Sequence, residues 1–189
     1  MTAEMDEDSQ LASALFEETL EWLREHYGEF EFWTERDLVW TVQMRLRLLI
    51  TERSLPLQIF NDYPMLPGTR RARSADLVIR NASKEVMVAA EFKYEPSHAR
   101  PEFVALASKL PLVFWSSDGV AKDVARIREF VEAGVTRAGF AVFVDEGRYF
   151  RHRPPHPGTA WHDWNASQPG CLSPSVLWAS WPPATSTTG

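Results

Sequence analysis

The sequence is poor in residues that staple or anchor a chain. Its one cysteine, Cys171, excludes an intramolecular disulfide and any cysteine-rich zinc site, so a reducing compartment is the simplest expectation. No run approaches the roughly 20 apolar residues of a membrane-spanning helix. The N-terminal stretch is acidic rather than basic and then apolar. The sequence therefore predicts neither a membrane span nor a leader, and places the chain in the cytoplasm. It has no Gly-x-Ser-x-Gly elbow and no phosphate-cradling glycine loop, which sets aside serine hydrolases and P-loop nucleotidases. Positive charge is also short. A formal net charge of -6 argues against a protein that coats nucleic acid by bulk electrostatics. Much of the excess acid sits in Glu4, Asp6, Glu7 and Asp8, and without them the remainder is close to neutral, so a local nucleic-acid surface stays open.

What is present is enough for a core. With 44% hydrophobic residues in 189, the chain is expected to form one α/β domain over 9–181. A disordered acidic segment is expected at 1–8 and a disordered tail at 182–189. Leu11, Leu15, Phe16, Leu20 and Leu23 recur at helical spacing up to Gly28. Phe30 and Phe32 alternate with acids and predict a short extended piece. Thr34 and Asp37 form a helix-start pair opening a second helix over about 35–52, with Leu38, Val42, Leu46 and Leu49 on one stripe. Strands are expected at 57–60, 75–80, 86–94, 112–115, 138–144 and 176–181. A short helix is expected after Pro101, and a longer one on Val120, Val124, Ile127 and Val131, ending before Gly134.

The chemistry concentrates in two of these strands. Asp76 lies in the first, and Glu91 and Lys93 interrupt the otherwise apolar second. Strand alternation puts Glu91 and Lys93 on one face and Val86, Val88, Ala90 and Phe92 on the other. A turn centred between Ser83 and Lys84 sets Asp76 opposite Glu91, with paired Cβ atoms roughly 5 Å apart. Two converging carboxylates repel unless a cation neutralises them, and hard Mg²⁺ or Mn²⁺ suits oxygen donors that leave water ligands in place. The Phe92 carbonyl is a further candidate ligand. Lys93 would orient a water or stabilise developing charge, equipment suited to phosphodiester hydrolysis.

Asp76, a hairpin and then Glu91-Phe92-Lys93 together resemble the signature of the PD-(D/E)xK nuclease superfamily, although Ala75 stands where the motif's proline would be. The resemblance covers about residues 34–145. It implies a restriction-endonuclease-like α-β-β-β-α-β core, a central mixed sheet flanked by helices, with Glu35 on the first core helix as an auxiliary acid. It also implies a metal-dependent nuclease with catalytic Asp76, Glu91, Lys93 and Glu35, acting on nucleic acid, DNA ahead of RNA. The alternative is a non-catalytic module that keeps the fold and binds nucleic acid or a protein partner. A homodimer is compatible with either reading.

Other features have plainer readings beside the functional one. Arg70, Arg71 and Arg73 lead into the Asp76 strand and could grip a phosphate backbone, or could simply aid solubility. Lys122, Asp123 and Arg126 read first as a solvated helix face, with Lys122 and Arg126 kept as candidate phosphate contacts. His152, His156 and His162 fit no compact metal site. Trp161, Trp164, Trp178 and Trp181 are expected to pack rather than to stack on bases.

Overall fold

The computed structural model describes residues 6–66, 73–100, 113–116, 118–164 and 174–181. The first helix, α1 (Glu7–His26), starts where Asp6 accepts a hydrogen bond from Ser9 N at 2.8 Å. Of the acidic segment expected to be disordered, Asp6 thus supplies the helix cap and Glu7 and Asp8 the first turn, since carboxylates there complement the helix dipole, while residues 1–5 lie outside the described residues. After a 3₁₀ turn at Tyr27–Glu29, Phe30 is extended but no strand forms. The second helix, α2 (Glu35–Glu52), begins as expected: Asp37 Oδ2 accepts from Thr34 N at 2.8 Å and from Trp33 N at 3.0 Å, closing a capping box.

Six strands follow: β1 (Gln58–Pro64), β2 (Ser74–Arg80), β3 (Val86–Glu95), β4 (Ala138–Asp145), β5 (Ala160–Asp163) and β6 (Ser175–Trp181). Helix α3 (Val120–Glu132) lies between β3 and β4. The strands form one open mixed sheet in the order β1-β2-β3-β4-β6-β5, antiparallel except for the parallel pair β3/β4. A parallel pair needs a long crossover, and the segment carrying α3 supplies it. No helix among the described residues is long and apolar enough to cross a membrane.

Both faces of the sheet are covered. On one side Phe16, Leu20, Leu38, Val42 and Leu46 of α1 and α2 pack on Leu77, Ile79, Ala90, Phe92, Phe140 and Val142. On the other, Val124, Ile127 and Phe130 of α3 pack on Val78, Ala89, Ala141, Phe143 and Leu177. Strand β4 is buried along its whole length, as a central strand sandwiched by helices must be. Gly139 lets α3 seat tightly, because a Cβ there would lie 2.5 Å from Ile127 Cγ2.

Three local expectations are corrected. No strand forms at 113–115; Val113 N instead donates to Glu95 Oε2 at 3.2 Å, and Phe114 O accepts from Val120 N at 2.8 Å, so the segment serves as the lead into α3. The short edge strand β5 was not expected. Val86 leaves the Val88 face and packs with the α3 side, because a bulge shifts the register between Ile79 and Arg80. The helix after Pro101 and the tail at 182–189 lie outside the described residues. The C-terminal tryptophans pack as expected: Trp164 and Trp181 are buried, and Trp161 and Trp178 lie against the cores.

Two polar anchors hold the periphery. Glu146 is wholly buried. Its Oε1 accepts from Tyr27 Oη at 3.1 Å and Tyr94 Oη at 3.0 Å, its Oε2 accepts from Ser97 N at 2.7 Å, and Arg100 pairs with it. Removing one partner of a buried ion pair strands the other, so Glu146→Ala should lower unfolding free energy by about 3–5 kcal/mol in a denaturant titration. The second anchor is Asp163 on β5, which faces Arg148 Nη2 at 2.7 Å, Arg151 Nε at 3.0 Å and Ser175 Oγ at 2.8 Å. Arg151, Ser175 and Arg148 hold its carboxyl below the usual range. A lowered folded-state pKa stabilises above the unfolded value and is lost as pH falls through the folded one. Asp163→Asn should therefore cost up to about 1 kcal/mol at neutral pH, a solvent-screened amount, and the gap from wild type should close in strong acid. Parallel melts across pH check this.

Candidate functional site

The β2/β3 hairpin builds the site. Its loop closes with Asn81 N donating to Glu85 O at 3.1 Å, and the strands pair Leu77 with Ala90 and Ile79 with Val88. The loop end is centred on Ser83, with Arg80 opposite Val86, rather than between Ser83 and Lys84 as expected; the bulge at Ile79/Arg80 then shifts the register by one, so that one step beyond Leu77 and Ala90 it aligns Asp76 with Glu91. Asp76, Glu91 and Lys93 share the α3 face of the sheet, while Ala90, Phe92 and Tyr94 are committed to the α1/α2 core. Asp76 Oδ2 accepts from Phe92 N at 2.7 Å, which fixes its carboxylate against β3.

Each remaining group arrives from a helix. Lys93 Nζ lies 2.9 Å from Glu35 Oε2, at the start of α2, and 3.1 Å from Asp123 Oδ2 of α3, and it donates to Phe92 O at 3.0 Å. Glu91 is only 2% exposed, and its Oε1 accepts from Arg126 Nη1 at 2.9 Å. Arg126 Nη2 also lies 3.5 Å from Asp123 Oδ1. Four carboxylates, Glu35, Asp76, Glu91 and Asp123, thus meet two cations, Lys93 and Arg126, a formal excess of two negative charges.

The electrostatics follow from that excess in a half-dry setting. Burial raises Glu91, Asp76 adds to the effect, and Arg126 only partly offsets it, so the carboxyl is pushed up to about 9. Burial also raises Asp76, against the lowering pull of the Phe92 N–H and Lys93. Glu35 is raised by burial, with Lys93 opposing. For Lys93, burial works against the ammonium but Asp123 and Glu35 outweigh it, and its pKa rises. At neutral pH a proton on Glu91 therefore supplies part of the compensation that the two cations leave undone.

A cleft of about 750 Å³ opens beside this cluster, lined by Glu35, Asp76 and Lys93 together with Trp33, Trp40, Asp62, Phe114 and Asp118. Glu91 does not line it. With Asp123 and Phe92 it borders a crevice of about 10 Å³ beneath α3, near the smallest space that admits one water. Among the described residues no group of three or more His, Cys, Asp or Glu side chains is spaced to hold a metal ion.

The structure thus brings together Asp76, Glu91, Lys93, Glu35 and Arg126, and leaves others apart. Arg73 is exposed and paired with Glu129 of α3, while Lys122 faces solvent. Arg70 and Arg71 lie outside the described residues. Asp123 is a correction to the solvated-face reading: it is buried, three residues from Val120 and four from Ile127. A carboxylate within that apolar stripe was the available signal. Arg126 also faces inward, on Glu91, rather than standing free for phosphate. Set against known proteins, the chain matches no family model, no curated protein and no solved structure.

Asp76→Asn tests the charge excess directly. It keeps an acceptor for Phe92 N and removes one repelling charge, so the metal-free variant should melt at the wild-type temperature or gain up to about 1 kcal/mol. A clear drop in melting temperature would show that the cluster is not strained by its carboxylates.

Proposed function

We propose that the protein is a metal-dependent phosphodiester hydrolase acting on nucleic acid, with a core of the restriction-endonuclease-like kind. One observation carries this reading: two carboxylates on paired antiparallel strands, Asp76 and Glu91, with Lys93 two residues on and all on one face. The order α2, β1, β2, β3, α3, β4 is also compatible with the α-β-β-β-α-β core that the sequence resemblance implies.

The donor set suits a hard divalent ion. Its groups are oxygens, and the formal excess of two negative charges equals the charge such an ion brings. Asp76, Glu91 and the Phe92 carbonyl would hold Mg²⁺ or Mn²⁺, with Asp123 as a neighbouring acid. When bound, such an ion acidifies a water and neutralises charge building on a phosphate. Lys93 is aimed at the cleft by Glu35 and Asp123, where its ammonium can stabilise charge on a phosphoryl oxygen. Glu35 is then a positioning residue, and Arg126 sets the orientation of Glu91.

A second reading has its own support. Lys93 and Arg126 already answer their carboxylates, and Glu91 lies behind the cleft wall, which suits a site that keeps the fold and binds without cleaving. Cleavage assays on single- and double-stranded DNA and RNA with Mg²⁺ and Mn²⁺ separate the two. Lys93→Ala should lose roughly 10²-fold or more in rate if Lys93 acts as a preorganised donor, while metal affinity measured by calorimetry stays near wild type. Lys93→Arg, which keeps the charge, serves as the control for folding. Wild-type binding without any turnover would favour the non-catalytic module.

A further inference from the structure

We infer that the cleft beside Asp76 receives an unpaired nucleobase, stacked on an aromatic wall of Trp40 and Phe114, so that the strand offered to the site is single. This rests on the nucleic-acid reading above and narrows it from nucleic acid in general to single strands and frayed ends.

The observation is where the exposed aromatic surface lies. Trp40 is 59% exposed and Phe114 57%, yet both line the one cleft that also contains Asp76, Lys93 and Glu35. Rings of this size normally bury 150–250 Å² each, so leaving two in water beside a charged cluster calls for a ligand with a flat apolar face. They come from separate parts of the fold. Trp40 stands on α2, five residues beyond Glu35. Phe114 is held by its own carbonyl, which accepts from Val120 N at 2.8 Å, and a Cβ at Gly119 would lie 1.7 Å from that oxygen. Only glycine permits the approach, so the turn that presents Phe114 is built in.

The charges lining the cleft choose among occupants. Glu35, Asp62, Asp76 and Asp118 face only Arg36 and Lys93 among its described lining residues. Duplex binding draws on many phosphate contacts, and in a duplex the bases stack on one another and show side chains only their edges. A mostly acidic cleft with two cations is poorly equipped for that. An apolar peptide would have to desolvate the same acids. An unpaired base offers both faces for stacking, and stacking on aromatics is worth about 1–3 kcal/mol per base.

Fluorescence-polarisation titrations test this with a labelled single-stranded DNA, its RNA counterpart and the same DNA sequence as a blunt duplex, all in EDTA so that nothing turns over. The single strands should bind roughly ten-fold or more tightly than the duplex, and Trp40→Ala and Phe114→Ala should each weaken single-strand binding roughly ten-fold. Trp40→Phe should retain most of the affinity. Leu48→Ala changes another exposed apolar residue of α2 outside the cleft and should change nothing. Equal affinity for single strand and duplex, or wild-type binding by Trp40→Ala, overturns the inference. If the duplex is then cleaved with Mg²⁺ by wild type and Trp40→Ala alike, the hydrolase reading survives its loss. If no strand or duplex is bound or cleaved, both fall.

Discussion

Strand β3 is covered on both faces, and the rest of the structure answers to that constraint. Its even-numbered residues from Val88 to Tyr94 enter the core under α1 and α2, while its odd-numbered ones point under α3. A charged side chain on such a strand is largely cut off from water, Glu91 almost wholly and Lys93 except where it borders the cleft, so both are satisfied from neighbouring elements. β2 supplies Asp76, α2 supplies Glu35, and α3 supplies Asp123 and Arg126. Lys93 contacts both helical layers at once, one from each side of the sheet. Its single ammonium thus ties the positions of α2 and α3 to the end of β3.

That arrangement explains which parts of the fold were legible. Helix α2 could be read to the residue at both ends because its capping box and its apolar stripe agree. The pairing of Asp76 with Glu91 was expected from a turn between Ser83 and Lys84; the loop is instead centred on Ser83, and the one-residue shift of the bulge restores the expected partners near Leu77. The bulge at Ile79/Arg80 was not legible, since it reflects how the loop end closes, with Lys84 at a positive φ of 67° and Glu85 N donating to Asn81 Oδ1, rather than any strand pattern. Strand β5 is four residues long, with two of them polar or charged, and exists because β6 offers an edge and Asp163 finds Arg148 and Arg151 there.

The candidate site was half legible for a related reason. Asp76, Glu91 and Lys93 stand out because they break apolar strands. Asp123 and Arg126 lie on a helix with many charges, where a solvated face is the ordinary outcome, and only the stripe position of Asp123 distinguishes it. Glu146 was invisible: its partners are Tyr27, Tyr94, Ser97 and Arg100, which the folded chain gathers from two regions remote from it in sequence. Long-range polar networks of this kind leave no periodic trace in sequence.

The same cluster sets the terms on which any cation would enter. Glu91 Oε1 is held by Arg126 and the Phe92 carbonyl by Lys93, so an ion using both must displace or share two existing partners. Against this stands the cost the cluster already bears: burial and mutual repulsion raise both Asp76 and Glu91, and a divalent charge would relieve the repulsion that protons now relieve. Asp76 is the more available of the two, since it lines the cleft and its described partner there is a backbone N–H, that of Phe92, rather than a cation. Entry from the cleft would therefore meet Asp76 first and draw Glu91 forward only if Arg126 yields. Arg126 is tethered to α3 and also faces Asp123, a carboxylate that can take up its guanidinium when Glu91 turns away. The second acid on α3 thus gives the arginine somewhere to go, and makes an exchange of partners at Glu91 physically reasonable without unfolding the helix that covers it.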